Sequence, residues 1–461
     1  MNVAFALINF FNTKRIGILL SCCSLVMLSS CSVSKQISRQ ASGILLKDPA
    51  ISSGHIGISI YEPASGSYWY NYDATKYFVP ASNVKLFSLY AGMKYLGDSL
   101  VGLRYVKSKY NSAPNHAFYF AEPTGDPTFL HPDFTNQPVM DFFKTDSAAD
   151  YQFNYQKTAF AAFGKGWAWD DYNEGYMAER SAFPIYGNEY TFYTSGQSVL
   201  SIPPGLRVQR LTCDVVTEFD FNEKRFTIKR NQFDNGLFAQ PDTNLPLFSK
   251  TEIPFITSVR HSINLLRDTV KRSRISYVAN LDGEKATQVI HSQPTDSLLK
   301  PMMHRSDNFF AEQTLLMASK ELLGYMDDEK IIDTILKTDL KDIPQKPKWV
   351  DGSGLSRYNL FTPQSFIYLL NKMKNEFGLE RMKNILPTGG EGTLSSYYKT
   401  SAGFIFAKTG TLSNNCALSG YLVTRKNKLL VFSIICNNYM TSAASVRKAV
   451  EQFLQTILAQ Y

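Results

Sequence analysis

Histidine, cysteine and tryptophan are scarce in this chain of 461 residues, with 6, 6 and 4 copies respectively. The histidines are scattered, and no Cys/His cluster has zinc-ligand spacing, so neither a metal nor any other cofactor is expected. No apolar run is long enough for a comfortable bilayer span. There is no internal repeat and no low-complexity tract, which argues against a solenoid or a disordered chain. No long basic run occurs, so nucleic acid is not an expected partner. A formal net charge of +8 spread over this length suits, at most, an anionic surface such as lipid headgroups or cell-wall carboxylates. The Gly-x-Ser-x-Gly elbow of one large class of serine hydrolases is also missing.

What is present describes a folded globular protein: 44% hydrophobic and 19% charged residues, with 26 Tyr and 32 Phe suited to aromatic-lined surfaces. The length exceeds one typical core, so two or three domains are expected.

The first 30 residues read as a processing segment. Lys14 and Arg15 precede an apolar run from Ile16 to Leu28, which ends in Leu28-Ser29-Ser30-Cys31. That ending resembles the bacterial lipobox, which implies cleavage before Cys31, lipid attachment to it, and export to the periplasm with an anchor in the outer membrane. An ordinary secretory signal is the alternative. Cys22 and Cys23 leave with the signal, so Cys213, Cys416 and Cys436 remain. An odd set leaves at least one thiol unpaired. Cys416 and Cys436 lie in successive strand-like runs and could pair across a sheet, but buried free thiols are the expectation.

After a polar leader, two strands flank the turn Glu62-Pro63-Ala64-Ser65-Gly66 as a hairpin. A helix around Ser82 follows, apolar over most of its surface and therefore expected in the centre of a domain. Residues 101–284 change texture to short aromatic strands and turns, such as Ala117–Ala121 and Phe219–Lys229. Helical patterns return over Phe309–Leu323, Lys330–Thr338 and Pro363–Phe377. Strands at Cys416–Val423 and Lys428–Asn437 and a final amphipathic helix close the chain. The reading is one α/β domain, built from residues 31–100 and 285–461, interrupted by a β-rich insertion over 101–284.

Ser82 and Lys85 stand three residues apart, about one helical turn, so their side chains share a face. A neutral lysine there can take the proton of the serine hydroxyl. Ser-x-x-Lys occurs at five places, however, the others being Ser32/Lys35, Ser297/Lys300, Ser396/Lys399 and Ser445/Lys448. Order distinguishes the first: Ser306-Asp307-Asn308 and the single Lys408-Thr409-Gly410 follow it. Penicillin-binding proteins and class A β-lactamases carry this trio.

The match extends to Asp351-Gly352-Ser353-Gly354-Leu355-Ser356-Arg357, to Gly392-Thr393-Leu394, and to Gly166-Trp167-Ala168-Trp169-Asp170-Asp171 within the insertion. On these motifs the chain resembles the class C low-molecular-mass penicillin-binding proteins, the D-Ala-D-Ala carboxypeptidase/endopeptidases of penicillin-binding protein 4 type. The resemblance implies an α/β (α+β) penicillin-binding and β-lactamase-like transpeptidase fold, an antiparallel sheet with flanking helices. It also implies a serine peptidase acting on peptidoglycan stem peptides, with β-lactams as covalent inhibitors.

At the matching positions, Ser82 would be the nucleophile and Lys85 its base, with Lys408 nearby holding the Lys85 pKa down. Ser306 would pass a proton to the leaving amine, and Asn308 would orient the lysine and the acyl-side amide. Lys408, Thr409, Gly410 and Thr411 would form the substrate-binding strand, gripping the terminal carboxylate. Backbone N–H groups of Ser82 and Thr411 would form the oxyanion hole. Asp170 or Asp171 would recognise the amino end of the stem-peptide side chain. The Asp351-Gly352-Ser353-Gly354 stretch is expected to be a structural turn. The alternative for Ser306 and Asn308 is that they only cap the next helix. Two rival functions stay open: a β-lactamase on the same scaffold, although no Glu-x-x-Leu-Asn is evident, and a non-catalytic cell-wall-binding lipoprotein.

Overall fold

A computed structural model describes residues 33–461, except 109–116, 146–147, 155–158, 196–197, 205, 207, 211–214, 217–225, 242–247, 273 and 279–284. The signal segment, Cys31, Cys213 and most of the expected strand at Phe219–Lys229 lie outside the described residues.

The expected polar leader is helical instead over 33–46. Ile37, Ala41 and Leu45 recur every four residues, so they share one face, and all three are fully buried. The hairpin follows as β1 (His55–Glu62) and β2 (Ser67–Tyr72). Helix α1 (Lys85–Tyr95) comes next, buried from Lys85 through Met93. A helix without a polar face is stable only when covered on every side. Here the hydrophobic cluster that holds α1 also includes residues of every later helix of the domain but the last.

The insertion opens with β3 (Ser99–Lys107) and β4 (Phe118–Pro123). Helix α2 (Pro138–Thr145), β5 (Asp150–Asn154), α3 (Val259–Val270), β6 (Ile275–Val278) and β7 (Gln288–Pro294) complete its main layer. The strands form one mixed sheet in the order β6-β5-β4-β3-β7. Because β7 pairs with β3, this sheet runs from Ser99 to Pro294, past the expected boundary at residue 284. Its core is aromatic, with Phe153 stacked on Phe183 at 4.8 Å and Phe143 against Tyr151 at 5.0 Å. Much of the high Phe and Tyr content is used here.

The chain then returns through α4 (Thr295–His304), α5 (Asn308–Leu323), α6 (Asp328–Lys337) and α7 (Pro363–Phe377). Thr362 caps α7 in a reciprocal capping box, with Pro363 in its first turn. Strands β8 (Ile405–Leu412), β9 (Asn415–Val423) and β10 (Leu429–Asn437) precede the last helix, α8 (Ala443–Gln460). The central sheet has the order β8-β9-β10-β1-β2, antiparallel throughout. Strands separated by nearly the whole chain thus share one sheet.

Alternation along the strands divides the core. Ala417, Tyr421, Val431 and Ile435 face the α1 side, whereas Leu418, Leu422, Leu430 and Ile434 face α8 and the leading helix. The sheet is therefore covered on both faces, which is why its strands read as continuous apolar runs. Cys416 and Cys436 are directly opposed in register, buried and free. Among the described residues, no helix is long and apolar enough to cross a membrane.

Candidate active site

Ser82 does not lie in the α-helix itself. Ala81–Val84 forms a 3₁₀ turn, and the α-helix starts at Lys85. With three residues per turn, side chains at i and i+3 eclipse. Lys85 Nζ consequently lies 2.9 Å from Ser82 Oγ. Ala81, just ahead of the serine, has φ +48°, a left-handed conformation unusual for a residue with a Cβ. It persists because the surroundings press on it. A Cβ on Gly354 would lie 2.0 Å from the Ala81 carbonyl oxygen, so only glycine permits that approach.

Gly354 belongs to the expected structural turn, and Asp351 shapes it. The buried Asp351 carboxylate accepts from Gly354 N at 2.9 Å, Ser356 N at 2.7 Å, Asn359 Nδ2 at 2.7 Å and Trp167 Nε1 at 2.9 Å. Trp167 comes from the insertion, so the insertion helps to hold the turn that braces the serine.

Lys85 is completely buried. Besides Ser82, its Nζ donates to Asn308 Oδ1 and to the Ser353 carbonyl, each at 2.6 Å. A neutral amine has two N–H bonds and one lone pair. Asn308 and Ser353 can accept both hydrogens, leaving the lone pair toward the Ser82 hydroxyl. Burial lowers the Lys85 pKa to about 8, against the opposing pull of Asp351, Asp307 and Glu312. Burial, not Lys408, is therefore the largest cause. Lys408 is itself pushed well below the usual lysine value, by burial first, then by Lys85 and Arg447, and because that repulsion is mutual it also disfavours a charge on Lys85.

Ser306, with φ +61°, occupies the turn between α4 and α5. The capping alternative fails for both residues of the motif. Asp307 is the cap, its Oδ1 accepting from Phe310 N at 2.9 Å. Ser306 Oγ accepts from Lys408 Nζ at 2.8 Å, and Asn308 Nδ2 donates to the Tyr176 carbonyl at 3.0 Å. Lys408, Thr409, Gly410 and Thr411 lie within β8 itself, an edge strand. Asn83 Nδ2 donates to the Lys408 carbonyl at 3.1 Å, tying that strand to the serine turn.

Ser82, Ser306, Asn308, Thr411, Tyr176 and Asp171 line one cleft of about 680 Å³. Of the two candidate aspartates, Asp171 lines it, whereas Asp170 is exposed and does not. The Tyr176 hydroxyl bonds Asp171, and burial together with that carboxylate pushes its pKa up to about 12. Thr409 lines a different, small apolar cavity beneath α8, with Arg447, Tyr397 and Cys416. Among the described residues, no group of side chains could hold a metal.

Three residues at or behind this site were not singled out from the sequence. Glu312 Oε1 accepts from Ser353 N at 2.7 Å, and Arg180 of the insertion reaches Glu312 and Asp328. Arg447 of α8 donates to Thr411 Oγ1.

Fold and site together define a serine hydrolase of the penicillin-binding class. The chain belongs to the D-Ala-D-Ala carboxypeptidase 3 (S13) family, whose model matches residues 39–211 and 268–461. Its fold is that of the penicillin-binding protein 4 type. Carboxypeptidase DacB of Mycolicibacterium smegmatis is 32% identical over 172 residues, 35% of this chain and 37% of that protein. The D-alanyl-D-alanine carboxypeptidase of an Actinomadura species is 23% identical, covering 90% of this chain and 83% of that protein. Penicillin-binding protein 4 of Haemophilus influenzae shares the fold, with a TM-score of 0.69 at 19% identity over 91% of this chain and 98% of that one.

Proposed function

We propose that this chain is an exported, lipid-anchored D-Ala-D-Ala peptidase that trims or opens peptidoglycan stem peptides through an acyl-enzyme on Ser82. The observation that carries the chemistry is the completely buried Lys85 amine, held by Ser82, Asn308 and Ser353. In the reaction, Lys85 takes the Ser82 proton as Oγ bonds the D-Ala carbonyl carbon. Backbone N–H groups of Ser82 and Thr411 receive the oxyanion, one such donor being commonly worth about 3–4 kcal/mol. Ser306, which accepts from Lys408, has its own O–H free to protonate the leaving amine as the C–N bond breaks. The proton on Lys85 then goes to Ser306, which restores the neutral amine and the Ser306 hydroxyl. Water, deprotonated by Lys85, then cleaves the ester and frees Ser82. Asp171 at the cleft wall suits a cationic group on the stem peptide. The Leu28–Cys31 ending supports the anchor.

The test is release of D-Ala from a diacylated D-Ala-D-Ala peptide, together with intact-mass detection of a penicillin adduct on Ser82. Ser82→Ala abolishes both. Rapid β-lactam turnover without a lasting adduct would favour the β-lactamase instead, and unchanged labelling of Ser82→Ala would favour a binding protein. Mass spectrometry of digested muropeptides separates the two peptidase activities. Loss of one D-Ala marks a carboxypeptidase, and monomers from cross-linked dimers mark an endopeptidase. Fatty-acid labelling lost in Cys31→Ala tests the anchor.

A further inference from the structure

A peptide ending in D-Ala presents a carboxylate, and the cation expected to grip it is poorly placed to do so alone. Lys408 is completely buried, and its Nζ is already spent on Ser306 Oγ at 2.8 Å and the Thr409 carbonyl at 2.7 Å. A second cation stands at the same strand. Arg447, in the second turn of α8, donates through Nη2 to Thr411 Oγ1. Its guanidinium lies 5.8 Å from the Tyr397 ring, which limits where the group can swing. Among the described residues its Nε has no hydrogen-bond partner, and the guanidinium interacts with the buried Cys416 thiol.

We infer that Arg447, acting through Thr411, is a positioning residue that makes the enzyme select substrates with a free C-terminal carboxylate. Thr411 lines the cleft with Ser82. A hydroxyl oxygen that accepts from a guanidinium must turn its own hydrogen elsewhere, and the cleft is the open side. Arg447 thereby presents Thr411 as a donor, polarises that donor, and adds fixed positive charge behind it. Arg357 is the competing cation. It lines the cleft too, but its hydrogen bond goes to the Ser413 carbonyl at 3.3 Å, two residues beyond Thr411.

This inference rests on the D-Ala-D-Ala peptidase reading, and the two fail differently. The experiment compares kcat/KM of the intact chain for a diacylated D-Ala-D-Ala peptide and for its C-terminal carboxamide. Arg447→Gln, Arg447→Lys and Arg357→Gln are measured beside the unmodified protein. A hydrogen bond to a charged group corresponds to about a 10- to 100-fold preference. The unmodified protein therefore prefers the acid by that factor. Arg447→Gln brings the ratio near unity, mainly through the KM of the acid substrate, and Arg447→Lys restores part of it. Acylation by a penicillin slows in Arg447→Gln more than acylation by the corresponding penicillin ester. An acid-to-amide ratio in Arg447→Gln within twofold of the unmodified protein's overturns the inference, as does its collapse in Arg357→Gln alone. If the unmodified protein neither releases D-Ala nor forms a penicillin adduct, the peptidase reading falls instead.

Discussion

The Arg180 guanidinium lies 3.4 Å from the Glu312 carboxylate and 2.5 Å from that of Asp328, with all three side chains nearly closed off from water. Arg180 belongs to the insertion, and its partners belong to α5 and the start of α6. Through Glu312, whose other oxygen holds Ser353 N, this cation is joined to the turn whose carbonyl accepts from Lys85.

Removing that cation leaves two carboxylates buried and unpaired. Arg180→Met is expected to lose about 3–5 kcal/mol of stability, the usual penalty for breaking a buried pair from one side. Glu312 is already pushed up to about 7, by burial first and then by Asp351. A carboxyl raised in the folded state favours folding at low pH, and that contribution fades as pH rises through the folded value. Loss of Arg180 raises Glu312 further. Thermal unfolding at pH 5 and pH 8 should therefore show a larger deficit at pH 8. Equal deficits would mean that the pair carries little charge coupling.

Under the proposed mechanism, acylation requires Lys85 without its proton. With its pKa near 8, the rate of Ser82 acylation by a chromogenic β-lactam should rise almost tenfold per pH unit below about 7 and level off above 8. Glu312→Gln removes one of the negative charges that favour the protonated amine, so its inflection moves to lower pH. A flat profile between pH 6 and 9 would exclude Lys85 as the base.

Gly410 lies against the serine turn. A Cβ there would meet the Pro80 carbonyl oxygen at 2.5 Å and Asn83 N at 3.0 Å, both backbone atoms that cannot swing away. Gly410→Ala should push β8 from Ser82. The expected cost is about 1–3 kcal/mol in stability and about 100-fold in acylation rate, the scale of a misplacement near 1 Å. Calorimetry and stopped-flow acylation measure the two separately.

Asp171 and Asp170 give a paired test. Asp171→Asn should raise KM about tenfold for a stem peptide with a free amino group on its side chain, because a charge-assisted contact is lost. The N-acetylated peptide should be affected far less. Asp170→Asn, outside the cleft, should leave both substrates alike. A reversed order would assign recognition to Asp170.

Much of this protein could be read before any coordinates. The helix at Pro363–Phe377 has the expected bounds because the Thr362-Pro363 start is a strong local signal. The closing strands shift by one residue at their starts. Local patterns said less about the leading segment, since the cluster that buries Ile37, Ala41 and Leu45 includes α8, at the far end of the chain. The insertion's end was also missed, because β7 is defined by pairing with β3, nearly 190 residues earlier. Asp307 rather than Ser306 caps α5, a choice made by which side chain β8 claims. Ser306 is taken by Lys408.

The sequence by itself determined the candidates. Ser82, Lys85, Ser306, Asn308 and Lys408 stand out by type, spacing and order, which depend on the chain alone, and the fold brings their side chains together. Tertiary structure decided their states and their company. Burial, a property of the whole fold, lowers Lys85. Contacts across the fold selected Asp171 over Asp170 for the cleft wall, placed Thr409 behind the strand, and brought in Glu312, Arg180 and Arg447. No local pattern marks those three, because their partners lie between 36 and 148 residues away.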